Sequence, residues 1–161
     1  MTYDRQAAVA YAHAWAFARN PQYADFSGMG GDCTNFCSQC LFAGLGVMNP
    51  TPHTGWYYHS LASRSPSWSG VEFLAQFLLR NSGLGPYAQI ADLSQIAPGD
   101  IVQLSFDGVT FGHSLLVVET GSLPSSGNIR IATHTFDADN RALSTYRYTR
   151  ARPLHMLGSR G

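Results

Sequence analysis

Lysine is missing from this chain: all ten basic side chains are arginine, and they balance ten Asp and Glu to a formal net charge of zero. Only 12% of the residues are charged, so there is no basic field to hold a phosphate backbone and no acidic tail. No nucleic-acid partner is expected, and the missing lysine reads as genomic composition. No run of about 18 apolar residues occurs, which excludes a membrane-spanning helix. The opening MTYDRQAAVAYAHAWAFARN has no basic start ahead of its apolar stretch, so a structural helix is expected there and not a signal peptide. Cysteine is scarce as well. Three, an odd count, make a poor disulfide framework and leave the compartment open.

What is present suits one globular unit over residues 1–161, with 45% hydrophobic and 12% aromatic content to build a core. Thr2 or Asp4 can cap a first helix in which Ala7, Ala8, Tyr11, Trp15 and Ala18 recur at helical spacing, and Pro21 follows its end. A glycine-laden loop, with Gly28, Gly30 and Gly31, leads into a second helix from about Cys33 to Ala43, stopped by Gly44 and Gly46. VMNPTPHTGWYYHSLASRSPSW lacks periodicity and reads as a surface loop. Ser69 and Glu72 have the spacing of a capping box before a third helix, VEFLAQFLLR. Beyond it the period becomes strand-like: GDIVQLSF, HSLLVVET, NIRIATHT and STYRYT, separated by turns that include DADNRA. Helices first and an antiparallel meander second predict an α+β fold with one sheet of about four to six strands packed on the helices.

The cysteines, Cys33, Cys37 and Cys40, follow the Cys-x3-Cys-x2-Cys spacing of radical SAM enzymes. That spacing also places all three on one face of a helix, whereas cluster ligands sit on an irregular loop within a larger barrel of βα units. The chain supplies neither, and it offers no pair of cysteine knuckles for zinc. Cys37 and Cys40 therefore read as core fillers, and no metal or cofactor is expected. Cys33 differs because it begins the helix, where unpaired N–H groups and the positive dipole end favour a thiolate and an oxyanion. That is a nucleophile's position.

A thiol nucleophile needs a general base with an orienting partner. Of six histidines, His13 lies in the first helix, His53 and His59 in the aromatic loop and His155 near the end. His113 opens the strand HSLLVVE and His134 closes the neighbouring strand, so antiparallel pairing is expected to bring the two to one sheet edge.

The order GGDCTNF, APGDIVQL, GHSLLVV and ATHTFDADN, with the opening YDRQAAVAYAHAWAFARNPQY and the segment SPSWSGVEF, resembles the "putative amidase domain" family of bacterial proteins. More distantly it is similar to the NlpC-like and CHAP cysteine peptidases of the papain-like superfamily. The resemblance implies a papain-like fold with Cys33 as nucleophile, His113 as base and His134 as the third polar residue. Asp137 is the second choice as orienter and Asn140 the third, and Asp32 is a loop-fixing residue. The oxyanion would be held by the backbone at Cys33 and a neighbour, Asp32 included. Trp68 is the expected substrate contact, with Trp56, Tyr57 and Tyr58 near the cleft. Cys37 departs from the family, which would carry an aliphatic residue there. The implied activity is hydrolysis of an amide, with a peptide or peptidoglycan stem peptide as substrate; the location stays open, a secreted or cell-envelope one included. Acyl transfer on the same fold and a silent peptide- or glycan-binding module are the alternatives.

Overall fold

A computed structural model describes residues 2–161. Four helices precede and cover a six-stranded sheet: α1 Arg5–Trp15, α2 Cys33–Leu45, α3 Pro66–Ser69 and α4 Val71–Arg80. The strands are β1 Gly85–Ile90, β2 Ile101–Ser105, β3 His113–Glu119, β4 Arg130–Thr133, β5 Ala138–Ala142 and β6 Arg150–Arg160. Their order across the sheet is β1-β6-β2-β3-β4-β5, and every neighbouring pair is antiparallel.

Asp4 is the residue that caps α1, accepting the Ala7 N–H at 3.0 Å. The small buried Ala8 and Ala12 let α1 lie against α2. Gly44 lies inside α2 and does not stop it. A Cβ there would stand 2.5 Å from the Asp4 carbonyl oxygen and 2.6 Å from the Tyr3 ring, so glycine is required where the incoming chain crosses the helix. The stop is Gly46, in the left-handed conformation (φ 67°), with its N–H on the Phe42 carbonyl.

Three expectations are corrected. Ser69 and Glu72 do not form a capping box: Ser69 ends α3, Gly70 precedes α4, and Glu72 turns outward to Gln76 and Arg152. The aromatic loop is largely core. Trp56 is fully buried because Ser38 accepts its indole N–H at 3.0 Å, which removes the cost of burying that donor. STYRYT begins inside a 3-10 turn (Leu143–Thr145) and continues as a link, whereas DADNRA, expected as a turn, contains β5.

The sheet is buried on both faces, and β3 shows how. Leu116 and Val118 pack with the helices, while Leu115 and Val117 pack on the other side with Leu104, Ile131 and Leu143. That alternation is the period of two expected of a strand. Asp100, fully buried at the entry to β2, accepts from Arg5 at 2.8 Å, Ala97 N–H at 2.9 Å and Met156 N–H at 2.8 Å, tying α1 and β6 to the sheet.

Candidate active site

Cys33 is the first residue of α2, and its thiol meets the first residues of β3. The glycine-rich turn before it takes positive φ at Gly30 (97°) and Gly31 (113°), and a Cβ on Gly31 would stand 3.2 Å from Thr135 Oγ1. Glycine thus lets the turn run close beneath the β4–β5 connection. The Ser114 N–H donates to Cys33 Sγ at 3.4 Å. Behind the thiol, Thr34 Oγ1 and Ser114 Oγ lie 2.9 Å apart, and Gln103 Nε2 donates to Ser114 Oγ at 3.2 Å. The helix start is thereby fastened to β3 and β2 by buried polar side chains whose hydrogen bonds are made.

Asp32 fixes the turn itself. Its Oδ1 accepts from the Phe26 N–H and from Asn35 Nδ2, both at 2.8 Å, and its Oδ2 lies 2.6 Å from His134 Nδ1. His134 Nε2 lies 2.8 Å from the Trp15 carbonyl oxygen. Both ring nitrogens of His134 therefore have an oxygen partner within hydrogen-bond distance. The imidazole ring also packs on Phe36 with centroids 4.2 Å apart.

His134 is therefore held by Asp32 and α1, and the structure does not bring it to His113. The reason is register. Leu116 stands opposite Ala132 and Val117 opposite Ile131; two residues further, His134 falls across from Ser114, one residue out of step with His113. A one-residue offset sends side chains to opposite faces. His134 goes to the helices, whereas His113 follows Leu115 and Val117 and packs on Tyr146, with ring centroids 5.9 Å apart.

The remaining predicted residues are placed as follows. Asp137 binds Arg19 through both oxygens at 3.0 Å, away from His113. Asn140, at φ 55°, gives its carbonyl to Arg130. The Asp32 N–H, expected near an oxyanion, donates to Thr135 Oγ1 at 3.1 Å. Trp68, the expected substrate contact, is fully buried, its indole N–H on Asn35 Oδ1 at 2.9 Å and its ring stacked on Tyr23; it is a core residue with no surface to offer. Trp56 is enclosed in the same aromatic cluster. A cleft of about 690 Å³ between α4 and the aromatic loop, walled by His53, Phe73, Phe77 and Arg80, has neither Cys33 nor His113 in its lining.

Electrostatics set the resting state of the pair. Cys33 is 6% exposed and His113 8%. Burial pushes the Cys33 thiol up, outweighing the Ser114 N–H and Thr34, which pull it down. Burial, helped by the Arg141 charge, lowers His113 to about 4. At neutral pH Cys33 is thus a thiol and His113 a neutral imidazole, not the thiolate expected from the helix end alone. Among the described residues no hydrogen bond joins Cys33 to His113, yet the thiol takes the N–H of the very next residue. Cys37 and Cys40 lie in the core, their thiols pushed well up by burial. Among the described residues no group of three or more His, Cys, Asp or Glu is placed to hold a metal ion, and no helix is long and apolar enough to cross a membrane.

Sequence reasoning missed Ser114 and Tyr146. The serine directly after His113 was a usable signal, since a strand start that must face a helix favours a small hydrogen-bonding residue. Tyr146 carried none, lying in a segment that read as a strand.

Residues 2–157 match the family described as "Putative amidase domain". Among curated proteins, "Uncharacterized protein YhbB" of Bacillus subtilis (strain 168) is 37% identical over 128 residues. That alignment covers 76% of this chain and 40% of the Bacillus protein, so the chain spans well under half the length of that relative. No solved structure matches.

Proposed function

Because the chain belongs to this amidase domain family, we propose that it cleaves amide bonds with Cys33 as nucleophile and His113 as general base. The observation that carries the reading is the thiol at the start of α2, fixed by the N–H of the residue that follows His113. The first turn of a helix leaves its N–H groups without intrahelical acceptors, so the Cys33 N–H can donate to a carbonyl oxygen that gains charge in the reaction.

In the proposed reaction His113 removes the thiol proton as Sγ attacks the carbonyl carbon, because neither group is charged at rest. The C–N bond then breaks, the imidazolium gives its proton to the departing amine, and a thioester is left on Cys33. Water, deprotonated by the same imidazole, releases the acid and restores the thiol. Asp32 and His134 are assigned to holding the helix start and not to relaying protons, in keeping with their mutual hydrogen bonds.

A helix bearing the cysteine, followed in sequence by an antiparallel sheet bearing the histidine, supports a papain-like assignment. The substrate class follows by analogy with the NlpC-like enzymes: a peptide amide, with the stem peptide of peptidoglycan as first choice. Purified wall fragments should release new free amines with wild type and not with Cys33→Ala or His113→Ala. Equal release by Cys33→Ala would remove the proposal.

A further inference from the structure

Tyr146 supplies an unexplained polar atom beside this pair. Among the described residues no group makes a hydrogen bond of good geometry with its buried hydroxyl, although the Arg141 guanidinium lies close enough to act on it, whereas buried polar groups are as a rule satisfied. The ring packs on the His113 imidazole with centroids 5.9 Å apart, and a thiolate at Cys33, were one formed, would act on its phenol. The 3-10 turn Leu143–Thr145 delivers it, with the Tyr146 N–H on the Leu143 carbonyl at 3.1 Å. Arg141 lies over the opposite feature of the residue, its guanidinium carbon 3.7 Å from the ring centre. That guanidinium is held in place by Nε on Thr145 Oγ1 at 2.8 Å.

We propose that the Tyr146 hydroxyl is the second donor of the oxyanion hole, opposite the Cys33 N–H, taking its hydrogen-bond partner only when a substrate carbonyl enters. Two backbone donors near the thiol are committed elsewhere: the Asp32 N–H to Thr135 and the Ser114 N–H to the sulfur. A donor fixed in place before charge develops stabilises the tetrahedral state without reorganisation. Burial, the largest influence on Tyr146, raises its phenol and keeps the proton on at neutral pH, while Arg141 acts the other way. A cation over the ring draws electron density from the phenol and strengthens it as a donor. No proton leaves Tyr146 in the step; the hydrogen bond forms with the oxyanion and breaks when the carbonyl is restored.

This inference rests on Cys33 being the nucleophile, and the test separates the two. Wild type, Tyr146→Phe and Cys33→Ala are compared in acylation by p-nitrophenyl acetate, in alkylation by iodoacetamide and in urea unfolding. Acylation passes through an oxyanion; alkylation at a saturated carbon does not. Tyr146→Phe is expected to slow acylation by about 10²- to 10³-fold, leave the alkylation rate of Cys33 within about twofold, and unfold at no lower urea than wild type because it deletes an unpaired group. Wild-type acylation by Tyr146→Phe, with none by Cys33→Ala, overturns the Tyr146 assignment and leaves the nucleophile standing. Undiminished acylation by Cys33→Ala overturns both. Alkylation slowed as much as acylation, or loss of folding in Tyr146→Phe, would show the hydroxyl acting on the thiol or on the fold, and also overturns it.

Discussion

Replacing His113 with asparagine should make the fold less sensitive to acid, and the size of the effect follows from the burial of the imidazole. In the folded protein His113 is lowered from 6.5 to about 4, chiefly by burial and secondarily by Arg141. The unfolded chain therefore binds a proton near pH 6.5 that the folded chain accepts only near pH 4. Stability is complete above the unfolded value and is lost as pH falls from there through the folded value. Each pH unit between the two is worth about 1.4 kcal/mol, so this one side chain withdraws about 2.5 kcal/mol between pH 7.5 and 4.5. Urea unfolding of wild type and His113→Asn at both pH values isolates that amount, since the other titrating groups are common to both proteins. The expected result is a drop in wild type exceeding that of the variant by about 2.5 kcal/mol. Equal drops would refute the neutral, desolvated imidazole, and with it the uncharged resting pair. The same shift predicts that the acid limb of kcat/KM falls at about pH 4, well below the usual histidine range.

Other consequences follow from the turn and the core. Asp32→Ala, which leaves the His134 imidazole and the Phe26 N–H without their acceptor, should cost about 3–5 kcal/mol in urea unfolding, and a loss below about 1 kcal/mol would mean that the buried pair is dispensable. Under native conditions iodoacetamide should leave Cys37 and Cys40, both fully buried, unmodified until the protein unfolds; peptide mapping reads the sites. Cys33 should react slowly at neutral pH and faster as pH rises, because burial holds its thiol up. Fast labelling at pH 7 would show a thiolate at rest.

The parts of the fold set by local chemistry were legible in the sequence. The glycine-rich turn into Cys33, the helix VEFLAQFLLR, and the strands at Ile101, His113 and Arg130 all carry periodicity or punctuation that the structure follows. What was not legible depends on distant partners. β6 contains Pro153 and Gly158 between arginines and has no alternating pattern, yet it lies between β1 and β2 in the sheet. The aromatic loop is buried because Ser38 and Asn35 of α2 satisfy the two indoles, Trp56 and Trp68, a match that sequence spacing does not reveal. His113 and His134 do begin and follow neighbouring strands as expected, but a single residue of register decides which face each ring takes. The partner of His134 is Asp32, 102 positions away in the chain.

The most direct test of the account is the intact mass of the protein after brief exposure to p-nitrophenyl acetate and an acid quench, followed by peptide mapping. The account predicts one added acetyl group, carried by Cys33 as a thioester, and none in Cys33→Ala. Acetylation elsewhere with Cys33 unmodified, or the same adduct in Cys33→Ala, would contradict it.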